Sequence, residues 1–96
     1  MIIVTGSVTA RADTEAAVAE LSLAHVRRSR LEPGCITHAV SRDLENEHRF
    51  VFVEEWATRA DLDRHFTVPE SRQFVTDVTN LAIEAPIIRI HVTTEH

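Results

Sequence analysis

The run Arg49-Phe50-Val51-Phe52-Val53-Glu54-Glu55-Trp56 decides how the rest of this 96-residue chain must fold. Phe50, Val51, Phe52 and Val53 are consecutive, so a strand over this stretch sends apolar side chains to both of its faces. That is the pattern of a central strand covered on two sides. Just upstream, Cys35 to about Arg42 alternates Ile36, His38 and Val40 with Thr37, Ala39 and Ser41, which predicts a second strand. The polar stretch Asp43 to His48 is expected to join the two as a hairpin connection.

Further outward the period changes. Glu32-Pro33-Gly34 stops a helix that begins at Asp13 or Thr14 and runs to about Arg30. On a helical wheel Thr14, Ala17, Val18, Leu21, Ala24, His25 and Arg28 fall on one side. Before it, residues 1–10 place Ile2, Val4, Gly6 and Val8 on one face of a first strand. Downstream, Thr58 caps a short helix on which Leu62, His65 and Phe66 share a face. Pro69 suits the first turn of another helix, with Phe74, Val78 and Leu81 inward. Pro86 precedes a last strand, Ile87 to Thr93, with Ile88, Ile90 and Val92 on one side.

The order β-α-β-β-α-α-β predicts one α+β domain over residues 1–96: a ferredoxin-like sandwich with an antiparallel four-stranded sheet and its helices on one face. Helices on one face leave the other face of an apolar central strand bare, and a large bare apolar surface marks an interface. A homodimer pairing sheet to sheet is therefore expected.

Composition narrows the function classes. The chain is 44% hydrophobic and 26% charged, and ten basic against fifteen acidic residues give −5. All ten basic residues are Arg. Phosphate neutralisation needs a basic stripe, so nucleic acid is not an expected partner. One cysteine, Cys35, excludes an internal disulfide and a cysteine-built metal site, and is read as a small apolar residue. No apolar run reaches the ~20 residues of a membrane span, and the first residues lack the form of a secretory signal, so a cytoplasmic protein is expected. With two glycines in the chain there is no phosphate loop, nucleophile elbow or dinucleotide fingerprint.

Four features can carry chemistry. Glu54 and Trp56 are two apart and share one face of their strand, a carboxylate beside an indole. His65 lies among apolar neighbours, where a lowered pKa suits a general base. His25 and Arg28 sit inside the apolar stripe of the first long helix. An Arg there needs a carboxylate or an anionic ligand, with Glu54 a candidate partner, unless it snorkels at the helix end. Gly6, in mid-strand, marks either a bulge or a place where a flat ligand approaches the sheet. His38, His48, His91 and His96 show no metal-ligand spacing with each other, and no metal site is expected.

Glu32-Pro33-Gly34-Cys35 after a long helix, then Phe52-Val53-Glu54-Glu55-Trp56, Ala60-x4-His65-Phe66 and Pro69-x-Ser71-x2-Phe74, resembles the antibiotic biosynthesis monooxygenase family over nearly the whole chain. The resemblance implies a dimeric α+β barrel. It also implies, for some members, oxidation of quinols or phenols by dioxygen without metal or flavin, and for others isomerisation or haem degradation. The haem-degrading branch resembles this chain least, because Gly6, His65 and about Val75 stand where that branch has Asn, Trp and the haem-ligating His. Trp56 matches the tailoring monooxygenases, whereas Phe52 replaces their Asn and the chain has no Tyr. The implied function is a cofactor-independent monooxygenase acting on a small quinol or phenol. His65 would serve as base, Arg28 as stabiliser of the substrate anion and Glu54 as orienter; Trp56, Gly6, His25, Phe52, Phe66 and Phe74 would bind substrate. A non-catalytic small-molecule-binding dimer and an isomerase are the alternatives.

Overall fold

The strand carrying the apolar run, β3, spans Asn46–Trp56 and begins three residues earlier than its composition suggests. Asp43, the last residue of β2 (Cys35–Asp43), already pairs with Asn46. The expected six-residue connection is therefore a tight turn with Leu44 and Glu45 at its tip. Asp43 holds that turn by accepting from the Glu45 N–H and from Arg49, so polar residues that read as loop are the paired end of a hairpin.

A computed structural model describes residues 1–94; His96 lies outside the described residues. The other elements are β1 (Ile2–Thr9), α1 (Glu15–Ser29), α2 (Arg59–Thr67), α3 (Pro69–Leu81) and β4 (Ile87–Val92), in the expected order. The sheet order is β2-β3-β1-β4, every pair antiparallel. Among the described residues no helix is long and apolar enough to cross a membrane.

Register settles which side chains share a face. Ile2, Val4, Gly6 and Val8 stand opposite Trp56, Glu54, Phe52 and Phe50, and this is the face the helices cover. β1 runs through Gly6 without a shift, so Gly6 is not a bulge. The bulge falls in β2, where Ile36 and Thr37 together oppose Glu55. Ile36 is thereby turned out and exposed, against the expected alternation, while His38 is turned in beside Glu54.

α1 buries Val18, Ser22, His25, Val26 and Ser29. Ala17 and Ala24, expected inward, are exposed, because the stripe is rotated toward two small serines. Ser29 donates to the carbonyl of His25 one turn back, and small residues let the helix lie close on β2. Thr14 stands at the N-cap position, yet its hydroxyl donates to the Leu81 carbonyl and ties the start of α1 to the end of α3. Thr58 does cap α2, accepting from the Asp61 N–H, and Pro69 opens α3.

The helix-side residues of β4, Ile88, Ile90 and Val92, remain exposed, because α1 packs on β2 and α3 while α2 packs on β3 and α3. That uncovered margin opens a cavity. The opposite sheet face is less uniformly apolar than its central strand implies. Val53, at 45% exposure, and Ile87, at 49%, alternate there with Thr5, Ser7, Glu55 and Arg89.

Gly34 closes the turn between α1 and β2 at φ 81°, and a Cβ there would lie 2.1 Å from Asp61 Cγ. An L-residue pays about 1–2 kcal/mol for left-handed backbone alone, and here Asp61 must also leave its place beside Thr58. Gly34→Ala is expected to lower the urea midpoint by an amount equivalent to at least about 2 kcal/mol. An unchanged midpoint contradicts this account of the turn.

Candidate active site

Five segments converge beneath α3. α1 supplies His25 and Arg28 one turn apart, the turn after it Glu32, the bulged β2 His38, β3 Glu54, and α2 His65. His65 is 3% exposed, and its Nδ1 lies 3.0 and 3.2 Å from the two Glu32 carboxylate oxygens. A carboxylate only accepts, so Nδ1 carries the proton and donates it. In the neutral ring Nε2 then carries the lone pair, and it lies 4.0 Å from Glu54 Oε1. This is the arrangement of a base held in one tautomer by a carboxylate behind it.

Arg28 does not reach Glu54, as the sequence had suggested. It pairs with Glu32, one turn along at i+4, with Nη1 3.1 Å from Oε2. Its Nη2 donates to Ser71 Oγ at 3.2 Å and to His25 Nδ1 at 2.9 Å. A guanidinium has no acceptor, so His25 Nδ1 takes that bond and the ring proton sits on Nε2. The His25 ring stacks on Phe74, with centroids 4.0 Å apart and planes 6° from parallel.

Glu54 Oε1 accepts from Trp56 Nε1 at 2.9 Å and lies 3.3 Å from His38 Nε2. His38 Nε2 meets Glu54 only as an ion-pair contact, and His38 Nδ1 has no hydrogen-bond partner. Burial raises the Glu54 pKa. The adjacent His38, the Trp56 N–H and His65 outweigh it and hold the carboxyl below its ordinary value.

Burial, then the neighbouring His38, His65 and Arg28, lower the His25 pKa from 6.5 to about 3, with Glu54 opposing. The unfolded chain takes up this proton near pH 6.5 while the folded chain does not. The stabilisation is therefore full above that pH and is lost as pH falls toward 3. Unfolding free energy measured with chelator present is expected to decline below about pH 6.5, at up to about 1.4 kcal/mol per pH unit. A flat profile between pH 6.5 and 4.5 contradicts it.

His25, Glu54 and His65 face a cavity of about 630 Å³. Val4, Gly6 and Phe52 of the sheet form its floor, Phe66, Phe74 and Val78 its helical wall, and His25, Glu54 and His65 its polar end. A Cβ on Gly6 would stand 3.2 Å from the Ile87 carbonyl, so glycine keeps the floor low where the strands run close. Of the residues expected at a site, Arg28 and Trp56 are not on this wall. Trp56 is 0% exposed and packs behind His65 with ring centroids 4.6 Å apart, so it is core rather than a ligand surface. Arg28 stands behind His25 and Ser71, bonded to both. Glu32, His38, Ser71 and Arg72 were missed; Ser71 and Arg72 line the cavity. The i,i+4 spacing of Arg28 and Glu32 was a legible signal for one of them.

The chain is a ferredoxin-like α+β sandwich with an acid–imidazole cluster at the end of an apolar cavity. A model of the antibiotic biosynthesis monooxygenase family matches residues 1–77, and the chain belongs to that family. It is 33% identical over 90 residues to the uncharacterized protein sll1783 of Synechocystis sp., covering 94% of this chain and 61% of that protein, so the chain spans about three-fifths of that relative's length. A Deinococcus radiodurans protein assigned to the antibiotic biosynthesis monooxygenases superposes with TM-score 0.95 at 25% identity, over 100% of this chain and 95% of that one. Rv0793 of Mycobacterium tuberculosis shares the fold, with TM-score 0.91 at 20% identity over 99% and 96% of the two chains.

Proposed function

We propose that this protein is a cofactor-independent monooxygenase that oxidises a small quinol or phenol with dioxygen, working as a homodimer paired through its sheet faces. The observation that carries the reading is His65 at the cavity's polar end, with Nδ1 bound to Glu32 and Nε2 free to take a proton. Phe52, Phe66 and Phe74 suit a flat aromatic ring.

The chemistry needs an electron-rich substrate anion. His65 Nε2 accepts the hydroxyl proton, and the His25 Nε2–H, set in place by Arg28, donates to the phenolate oxygen as charge develops. Arg28 thus serves the anion through His25 rather than by contact. The phenolate passes one electron to dioxygen. Superoxide and the substrate radical combine to form a C–O bond, and His65 returns its proton to give a hydroperoxide; cleavage of the O–O bond with the ring hydrogen lost in water leaves a quinone from a phenol or a hydroxyquinone from a quinol. For a quinol, one oxygen atom enters the ring, the other leaves as water, and the quinol supplies all four electrons. Haem degradation has no support here, since Val75, exposed on α3, offers no ligand.

The test is an oxygen electrode with a menadiol-like naphthoquinol and chelator-treated protein. Uptake above the buffer control supports the reading. Saturable binding without uptake points instead to a binding protein, and product formed under strict anaerobiosis to an isomerase. Sedimentation of the same sample as a monomer overturns the sheet-paired dimer.

A further inference from the structure

His25, His38 and His65 come from three different elements, are all buried, and bring one ligating nitrogen each within 4.8 Å of one another. Their ring centroids form a nearly equilateral triangle with sides of 5.3, 5.4 and 5.7 Å. Three imidazoles radiating from one ion would place their centroids at about this separation, given metal–nitrogen bonds of about 2.0–2.1 Å. Nothing in the proposed oxidation uses His38. Its side chain is fully buried, Nε2 faces the Glu54 carboxylate at 3.3 Å, and Nδ1 has no hydrogen-bond partner, a costly arrangement for a polar ring in a core. Glu54 lies 3.3 Å from His38 Nε2 and 4.0 Å from His65 Nε2 and adds an anionic oxygen. Glu32 behind His65 Nδ1 has the place of the outer carboxylate that orients a ligating imidazole.

We infer that His25, His38 and His65, with Glu54, form a binding site for one divalent transition-metal ion of intermediate softness, such as Zn²⁺ or Co²⁺. Imidazole with carboxylate suits these ions, whereas Mg²⁺ and Ca²⁺ prefer oxygen ligands alone. Two carboxylates, Glu32 and Glu54, adjoin the imidazoles, while Arg28 sits at His25 Nδ1 and Arg30 at the His38 carbonyl. The rings need an inward rotation, since nitrogens on a tetrahedral ion lie about 3.3–3.4 Å apart. Arg28 competes for the ion by holding His25 Nδ1. Binding also occupies the His65 Nε2 lone pair, so the ion acts as a brake on the proposed oxidation. The inference rests on the cluster's geometry and not on that reading.

The experiment is titration of chelator-treated, desalted protein with Co²⁺, followed by visible absorption, then displacement by Zn²⁺. One equivalent per chain with ligand-field bands that Zn²⁺ removes is the expected result. His38→Gln and His25→Gln should each weaken Co²⁺ binding about tenfold or more, Arg28→Gln should strengthen it, and His48→Gln, outside the cluster, should leave it unchanged. Thermal melts report whether each variant folds, and His25→Gln decides the matter if His38→Gln does not. Absence of the bands, or equal affinity in the folded cluster variants, overturns the inference. So does loss of binding in His48→Gln, which would place the ion elsewhere. Oxygen uptake by the metal-free protein is measured in parallel: uptake without Co²⁺ binding removes only the metal site, and Co²⁺ binding without uptake removes only the oxidation.

Discussion

His65→Gln is expected to lower quinol-dependent oxygen uptake by about 10²–10⁴-fold while leaving the protein folded, because a positioned side-chain base contributes about that much. Glutamine keeps a polar atom near Glu32 but has no basic lone pair to offer the substrate. Its effect belongs on kcat, since the apolar walls that bind the ring are untouched. Glu32→Gln should fall between the two. It leaves His65 in place but removes the carboxylate that keeps the proton on Nδ1, so both tautomers become populated and only one of them is competent. Oxygen uptake and thermal melts of the two variants, side by side, separate base from scaffold. Equal rates in wild type and His65→Gln contradict the assignment.

Trp56→Ala is expected to be the most damaging single change to stability, at about 3–5 kcal/mol. Trp56 is the largest fully buried side chain, clustered with Ile2, Val4 and Leu62 at one end of the sheet. Truncation leaves a cavity and takes from Glu54 the N–H that satisfies Oε1. A domain of this size is stable by only about 5–15 kcal/mol, at about 0.05–0.15 kcal/mol per residue, so the variant approaches the unfolding threshold at 37 °C. Trp56→Phe retains most of the volume and isolates the lost hydrogen bond, with an expected loss of about 1–3 kcal/mol. Denaturant unfolding checks both. A loss below about 1 kcal/mol for Trp56→Ala would show that the indole is not the packing centre described.

The contrast between these two residues shows what was legible in the chain before its structure. Strand and helix periods placed each element in order, because alternation and 3.6-residue spacing are local properties. The inward set of α3 and the N-cap of α2 were readable for the same reason. Side-chain partners were not. Trp56 reads as a pocket wall because it ends a strand beside Glu54, yet burial under α2 makes it core. Arg28 and Glu54 looked complementary, but Glu32, four residues on from Arg28, is closer. The bulge at Ile36 and Thr37, which turns His38 inward, depends on pairing with β3 and leaves no mark in the alternation itself. His25, His38 and His65 have no meaningful spacing along the chain and meet only through the sheet register and the α1 crossing. The edge of the cavity was equally unreadable, because it exists where the helices fail to cover β4.

The central claim is that an aromatic hydroxyl enters this cavity and meets His65 Nε2. A crystal structure of the metal-free protein soaked anaerobically with a naphthol tests it most directly. The expected result is a ring between the Phe52 floor and the Phe66–Phe74 wall, with its oxygen about 2.6–3.2 Å from Nε2. A ring bound elsewhere, or one whose oxygen points away from His65 toward solvent, contradicts the account.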